Sequence, residues 1–287
     1  MGTSTGNEAP WEPLGAAAAP DALVEARLQL HWAAHAVAAV GETLLDRRPD
    51  DSHASFEWHE GTRALVSGAT GAGLRAGLRL ADLTLVVLGD GGAAVRAALP
   101  LDGKTLAGAL DWLGASLARL GEARAAQAPL RPPGHDLPAH AVGGGAPFGG
   151  AAPTHLAELA RWYGAADGWL RGFARATPGA STVRCWPHHF DLATLVTLSA
   201  GKTIGVGLSP GDGSYAEPYW YVTPSPYSAG AARAALDGEG TWHRAGWFGA
   251  VLTGTRLAAA GVAAEPQRAR LEAFARSALA ACRALVG

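Results

Sequence analysis

Cysteine is scarce in this chain: 287 residues hold two, Cys185 and Cys282. Two thiols cannot build a disulfide framework, and a reducing, cytoplasmic setting is expected. Lysine is nearly absent, with Lys104 and Lys202 set against 21 arginines. Together with the abundance of Ala and Gly, this reads as the codon bias of a GC-rich genome. Charged residues make up 17%, too few for a disordered chain. A formal net charge of −2 gives no electrostatic basis for a nucleic-acid or anionic-membrane partner. No apolar run reaches the roughly 18–20 residues that span a bilayer, so no membrane partner is expected. The first 26 residues contain no Lys or Arg and no compact apolar core, so no secretory leader is expected.

Hydrophobic residues amount to 48%, but 64 of the residues are alanine. Leucine, valine and ten tryptophans supply the bulk, which is ample for a buried core. The length suits one large domain or two modest ones. Residues 1–20 are a Pro- and Ala-rich stretch without periodicity, expected as a disordered lead-in. Residues 123–153 are dense in Pro and Gly and read as a linker or a functional cover. Between and after them lie two halves, 21–122 and 154–287, of similar layout.

In the first half Asp21 is placed to cap a helix on which Leu23, Leu30, Val37 and Leu44 recur at seven-residue spacing. Strand-like runs follow at 54–58, 75–80 and 83–88, and then a helix burying Leu106, Leu110, Leu113, Leu117 and Leu120. In the second half Thr154 is placed as a cap, with Leu156, Leu159, Tyr163, Leu170 and Phe173 on one helical face. Runs at 190–199, 203–208, 219–223 and 248–253 read as strands. A closing helix from about Pro266 buries Leu271, Phe274, Ala278, Cys282 and Leu285. The connections between strands are too short for parallel crossovers. The expected class is therefore α+β: two similar helix–antiparallel strands–helix halves packed as one body, an internal duplication.

The densest polar cluster is Cys185-Trp186-Pro187-His188-His189-Phe190-Asp191. If residues 189–191 are extended, His189 and Asp191 share a face opposite Phe190, Leu192, Val196 and Leu198. A His and a carboxylate so placed can share a divalent metal (Zn, Mn or Fe), or the carboxylate can orient the imidazole as a base. The same pair also suits a hydrogen-bonded turn with no catalytic role. Aligning the prolines of the two halves lays Asp51 over His189 and His53 over Asp191, so a pseudo-twofold axis would bring all four together.

A third block runs from Gly207 to Tyr221. Gly207–Gly211 matches G-x-S-x-G, but Pro210 has no N–H for an oxyanion and no helix follows, so Ser209 is not expected to be a nucleophile. The loop instead carries Asp212, Tyr215 and Glu217 into a strand where Glu217, Tyr219 and Tyr221 share a face. Thr203, Gly205 and Gly207 would give a flat floor beside it. Ordinary hairpin packing of aromatics accounts for the same residues. His31, His35 and Glu42 fall on one helical stripe, and the two histidines read as partly exposed or hydrogen-bonded more readily than as metal ligands. Gly103-Lys104-Thr105 and Gly201-Lys202-Thr203 lack the upstream glycine of a phosphate loop. Cys185, beside bulky apolar residues, reads as a structural thiol.

The segment from Ser181 through Val183, Trp186 and Phe190-Asp191-Leu192-Ala193 to Thr194 resembles a bacterial family of unknown function. That family carries S-x-V-x-x-W-x-x-F-D-L-A in its second half; this chain has one more residue between Trp186 and Phe190. A Trp-containing opening helix, a His-x-x-Phe run at His53 and an aromatic strand ending in Tyr-Val-Thr-Pro extend the resemblance over most of residues 21–285. Family members carry small residues in place of His188 and His189, which makes Asp191 the shared feature. The resemblance implies no activity.

The leading expectation is an enzyme-like small-molecule pocket, with metal-assisted hydrolysis or proton transfer as its chemistry. Asp191, His189, Glu217, Tyr219 and His243 are the candidate catalytic residues, and His189 and Asp191 the candidate metal ligands. Trp186, His188, Asp212, Tyr215, Tyr221, Asp51 and His53 are the candidate ligand-binding residues. A non-catalytic ligand-binding protein and a scaffold or interaction protein are the alternatives.

Overall fold

The computed structural model describes residues 11–92, 94–199, 201–227, 234–261 and 263–286. The helices are α1 (Val24–Leu44), α2 (Leu106–Arg119), α3 (Pro153–Ala176), α4 (Gly254–Ala258) and α5 (Ala264–Val286). In the first half the strands are β1 (Glu57–His59), β2 (Ala64–Val66), β3 (Arg75–Arg79), β4 (Thr84–Gly89) and β5 (Ala94–Pro100). The second half adds β6 (Arg184–Trp186), β7 (Asp191–Ser199), β8 (Lys202–Ser209), β9 (Tyr219–Ser225), β10 (Thr241–His243) and β11 (Gly249–Thr253). Every pairing between named strands described below is antiparallel, so the class is α+β with two sheets. Among the described residues no helix is long and apolar enough to cross a membrane.

The chain forms two compact units whose limits differ from the two halves read in the sequence. Unit 1 takes in residues 1–22, 161–183 and 192–287; unit 2 takes in residues 23–160 and 184–191. The Pro/Gly-rich segment 123–153 thus lies inside unit 2.

Unit 2 is a meander, β1-β2-β3-β4-β5, with α1 and α2 packed on it. The heptad of α1 buries as expected: Leu23, Leu30 and Val37 are fully inaccessible and Leu44 nearly so. The helix is in fact buried almost all round, its alanines admitting close neighbours on every side. One of those neighbours is the 123–153 segment. Trp32 Nε1 donates to Pro138 O at 3.0 Å, Arg131 N to Thr43 Oγ1 at 2.9 Å, and Gly149 N to Gln29 Oε1 at 2.9 Å. Leu130, Val142 and Phe148 are buried. This segment is a fitted cover over α1, held by backbone and side-chain bonds.

Four strands, β2, β5, β6 and β10, lie outside the runs that read as strands in the sequence. The β1–β2 and β3–β4 connections share one device: a single 3-10 turn followed by a left-handed residue, Arg63 (φ 48°) and Leu83 (φ 49°). Neither is a Gly or Asn, so the usual turn signal is missing. β5 is rich in alanine, a weak strand former, and exists as an edge strand through its pairing with β4. The expected caps also differ. Asp21 lies in a 3-10 turn (Pro20–Leu23) before α1, which has no side-chain cap. α3 begins at Pro153 itself, a residue suited to the first helical position, so Thr154 is inside the helix.

Unit 1 holds strands in the order β10-β11-β9-β8-β7 and the helix α5, which contacts β8, β9 and β11. Leu271, Phe274, Ala278 and Cys282 are its buried face, as the spacing predicts, with Val286 in place of Leu285. Residues 1–10 of the expected disordered lead-in lie outside the described residues. From Trp11 onward the stretch is packed. The Trp11 ring stacks on Trp220 at 6.4 Å, and Leu14 is buried. Gln267, fully inaccessible, accepts from Leu14 N at 2.8 Å and donates to Leu14 O at 2.9 Å. These contacts are remote in sequence, and no local periodicity could announce them.

Candidate functional site

The Trp-Pro-His-His segment does not fold as a strand through Asp191. β6 ends at Trp186, residues 187–190 form a turn closed by Phe190 N donating to Trp186 O at 2.7 Å, and β7 begins at Asp191. Phe190 has φ 55°. A left-handed residue breaks the two-residue alternation, so the argument that put His189 and Asp191 on one strand face fails at Phe190. His189 is exposed in the turn, and Asp191 is buried at the start of β7. Beyond the break the alternation resumes: Leu192, Thr194 and Val196 are buried, Leu195 and Thr197 exposed. Leu198, expected inward, is exposed near the strand end.

Phe56 and Cys185 exchange both backbone hydrogen bonds, at 2.9 and 2.8 Å, in an isolated antiparallel bridge. Antiparallel pairing runs the chain before Phe56 alongside the chain after Cys185. The turn at 50–54 therefore meets the turn at 187–190. Asp51, like Phe190, has φ 55°. Between these turns, the end of α1 and the cover lies a cavity of about 750 Å³. Asp51, His53, Trp186, His188 and His189 all line it, joined by Glu42, Arg47, Asp50, His135 and Asp136. Asp191 is not among its lining residues.

The imidazoles here differ in what they can do. His53 is buried; its Nδ1 accepts from Arg48 N at 3.3 Å and its Nε2 meets Glu42 Oε2 at 3.2 Å. A ring nitrogen that accepts carries no proton, so the proton sits on Nε2 and is donated to Glu42. With both nitrogens engaged, His53 is a held wall and not a base. His31 Nε2 donates to Pro187 O at 2.8 Å, and its ring stacks on Phe190 at 5.1 Å, fixing the turn against α1. From there rings continue inward to outward: His31 to His35 at 6.4 Å, His35 to His135 at 5.8 Å, His135 to His188 at 5.3 Å, His188 to His189 at 4.3 Å.

Burial, together with the neighbouring cations and imidazoles, makes His31, His35 and His188 neutral. Burial is the main cause for His31, outweighing its hydrogen bond to Pro187, and lowers its pKa to about 4. Burial, then His31 and His135, lowers His35 to about 4. Burial, then His189 and His135, lowers His188 to about 4 against the opposing pull of Asp51. Cys185, next to the turn, is inert: burial and then the Asp191 charge raise its thiol pKa well above the ordinary value. Among the described residues no three His, Cys, Asp or Glu side chains are grouped so as to hold a metal.

The remaining candidates lie in unit 1 and form a closed network of their own. Tyr219 Oη donates to Asp212 Oδ2 at 2.6 Å, while Asp212 Oδ1 accepts from Ser214 N and Tyr215 N at 2.7 and 3.1 Å. His243 Nε2 donates to Ala245 O at 2.7 Å, which leaves Nδ1 to accept from Tyr215 Oη at 2.9 Å. Trp247 stacks on His243 at 4.2 Å. Glu217 accepts from Thr255 N at the start of α4. The expected glycine floor is occupied: a Cβ on Gly207 would stand 2.6 Å from Tyr221 Oη, so the Tyr221 ring covers it. Ser209 is buried and its Oγ accepts from Gly211 N at 3.2 Å. Comparison of the chain with family models, curated proteins and solved structures finds no match.

Proposed function

We propose that unit 2 is a small-molecule binding module whose ligand carries an amine or guanidine group. The observation that supports this is the composition of the 750 Å³ cavity: four carboxylates, Glu42, Asp50, Asp51 and Asp136, face one guanidinium, Arg47. Arg47 is already paired with Glu42. The histidine beside them, His188, is neutral at pH 7 and adds no positive charge to offset the carboxylates. A cation therefore meets a negative field, a neutral imidazole able to accept a hydrogen bond, and the half-buried ring of Trp186 for cation–π contact. Binding is favoured over catalysis by proton transfer, because His53 has no free nitrogen and His188 is a weak base at neutral pH.

Ligand-observed NMR with a panel of small amines, guanidines, carboxylates and neutral polyols tests the reading. Amines or guanidines should be selected, and Asp51→Asn or Trp186→Leu should weaken them roughly tenfold. Asparagine tolerates the left-handed backbone at position 51, so that variant keeps the turn. A panel in which carboxylates bind best, or in which neither substitution matters, refutes it.

The same two sheets support a duplicated origin. Each half holds a helix, a run of consecutively paired antiparallel strands (β1 to β5 in the first, β7 to β9 in the second) and a closing helix, although in the second sheet β11 intervenes between β9 and β10. A related chain with a single such module would bear this out; relatives in which β1 to β3 and β7 to β9 cannot be superposed with their flanking helices would refute it.

A further inference from the structure

On the other side of His53 lies a second cavity, of about 490 Å³, also wholly within unit 2. Its lining inverts the chemistry of the first. Four arginines reach it from four separate segments: Arg48 after α1, Arg75 on β3, Arg124 after α2 and Arg184 on β6. Two carboxylates, Asp46 and Glu57, also border it. They neutralise little: Arg124 and Asp46 are 3.7 Å apart with Asp46 fully exposed, and Arg184 and Glu57 are 3.6 Å apart. Solvent-exposed pairs of that kind contribute little. Arg48 and Arg75 have no carboxylate partner among the described residues.

Three of the guanidiniums are fixed in place. Arg75 Nη1 donates to Ser67 O at 3.0 Å, Arg124 Nη1 to Leu44 O at 2.7 Å, and Arg184 Nη1 to Ser55 Oγ at 3.2 Å. Each of these bonds uses one of five donors in a rigid fork, so the rest of the fork is held facing the cavity without losing its own capacity. Hydroxyls of Ser52, Ser55 and Thr70 stand in the same wall. The segment Gly68–Gly71 closes it and is fastened from behind by Glu122, which accepts from Ala72 N at 3.1 Å. Like charges brought together on a concave surface repel unless an anion joins them.

We propose that this cavity is an oxyanion site for a phosphate-bearing ligand, bound by Arg48, Arg75, Arg124 and Arg184. Phosphate suits it better than a carboxylate because three oxygens can be met at once by guanidiniums arriving from several directions. The site is independent of the amine-binding reading, since the two cavities share only His53 as a wall.

Isothermal titration with inorganic pyrophosphate, and in parallel with citrate, tests the assignment on the full chain. The wild type should bind pyrophosphate saturably at one site, more tightly than citrate, and more weakly as salt is raised. Arg75→Gln and Arg48→Ala should each weaken binding roughly ten- to a hundredfold, while Arg244→Ala, in unit 1, should leave it unchanged. Arg184→Ala removes a bond to Ser55 and Arg75→Gln one to Ser67 O, so each is read with thermal unfolding matched to the wild type; Arg48→Ala removes no side-chain bond of this kind and carries the test if either of them unfolds early. Absence of saturable binding overturns the proposal. So does binding that survives both Arg75→Gln and Arg48→Ala, and so does citrate binding as tight as pyrophosphate.

Discussion

Gly41 lies on the buried face of α1, where the turn bearing His53 crosses the helix. Two effects of Gly41→Ala have opposite signs. Helix propensity favours alanine by about 1 kcal/mol, because glycine loses more backbone freedom on folding. Against this, a Cβ at position 41 would stand 2.3 Å from His53 O and 2.8 Å from Ala54 Cα. Carbon and oxygen rest at roughly 3.3 Å or more, so the turn must withdraw by about 1 Å. Both atoms belong to backbone, and no flexible side chain can yield instead. The turn is also tied down, by Ala54 N to Asp51 O at 3.1 Å and by Arg48 N to His53 Nδ1.

Overpacking of this kind costs about 1–3 kcal/mol, and an immobile backbone neighbour puts this case at the upper end. The net loss should be about 2 kcal/mol, a fall in melting temperature of roughly 4–8 °C for a chain of this size. Because two units need not unfold together, a local readout is also needed. Hydrogen exchange should accelerate at the amides of residues 51–56 and not at those of α5. A Gly41→Ala protein as stable as the wild type, or more stable, would show that propensity wins and that the turn does not rest on the helix.

Three other outcomes follow from the same contacts. His31 and His35 are neutral in the folded chain with pKa values of about 4, against an ordinary 6.5, so the folded state binds fewer protons than the unfolded state between these limits. Their contribution is complete above pH 6.5 and is lost progressively down to pH 4, on the order of a few kcal/mol for His31. His35→Phe, which also removes a buried Nε2 without a hydrogen-bond partner, should flatten that part of a stability–pH profile; an unchanged slope refutes the assignment. Neither thiol should react with a maleimide in native protein at pH 8, since burial pushes Cys282 up to about 12 and Cys185 also well up; native labelling of either would contradict their burial. Gln267→Leu should cost about 2–3 kcal/mol by leaving the Leu14 amide and carbonyl buried and unpaired, and should open residues 11–19 to protease; resistance equal to wild type would sink the idea.

The parts of the fold read correctly from the sequence are those fixed by local pattern. The seven-residue spacing of α1, the stripe of α5 as far as Cys282 and the strands from β7 to β9, Leu198 apart, bury what their periods place inward. What escaped is set elsewhere. β5 is alanine-rich and is made a strand by β4. The turns at Arg63 and Leu83 use left-handed residues that carry no turn signature. The packing of Trp11 and Leu14 depends on Trp220 and Gln267, more than 200 residues away in the chain. Such elements follow from non-local pairing, and no local window contains the partner.

The first cavity shows the same division at finer scale. Pattern density singles out Trp186, His188 and His189, the alignment of the two prolines adds Asp51 and His53, and the Phe56–Cys185 bridge brings all five to one cavity. The reasoning that joined His189 to Asp191 assumed an extended backbone through Phe190, and one left-handed residue undoes it. His135 and Asp136 sat in a segment read as a linker or cover, with no spacing to mark them as partners of a turn fifty residues on. Glu42 was visible only as a member of the His31–His35 stripe, though it is the group that orients His53. The arginine cavity was the least legible of all. Its four guanidiniums come from four segments, so no spacing rule could gather them; only the fold makes Arg75 and Arg184 neighbours of Arg48 and Arg124. A local sequence pattern can nominate a residue when the chemistry is contiguous, and it is silent when each contributor arrives alone.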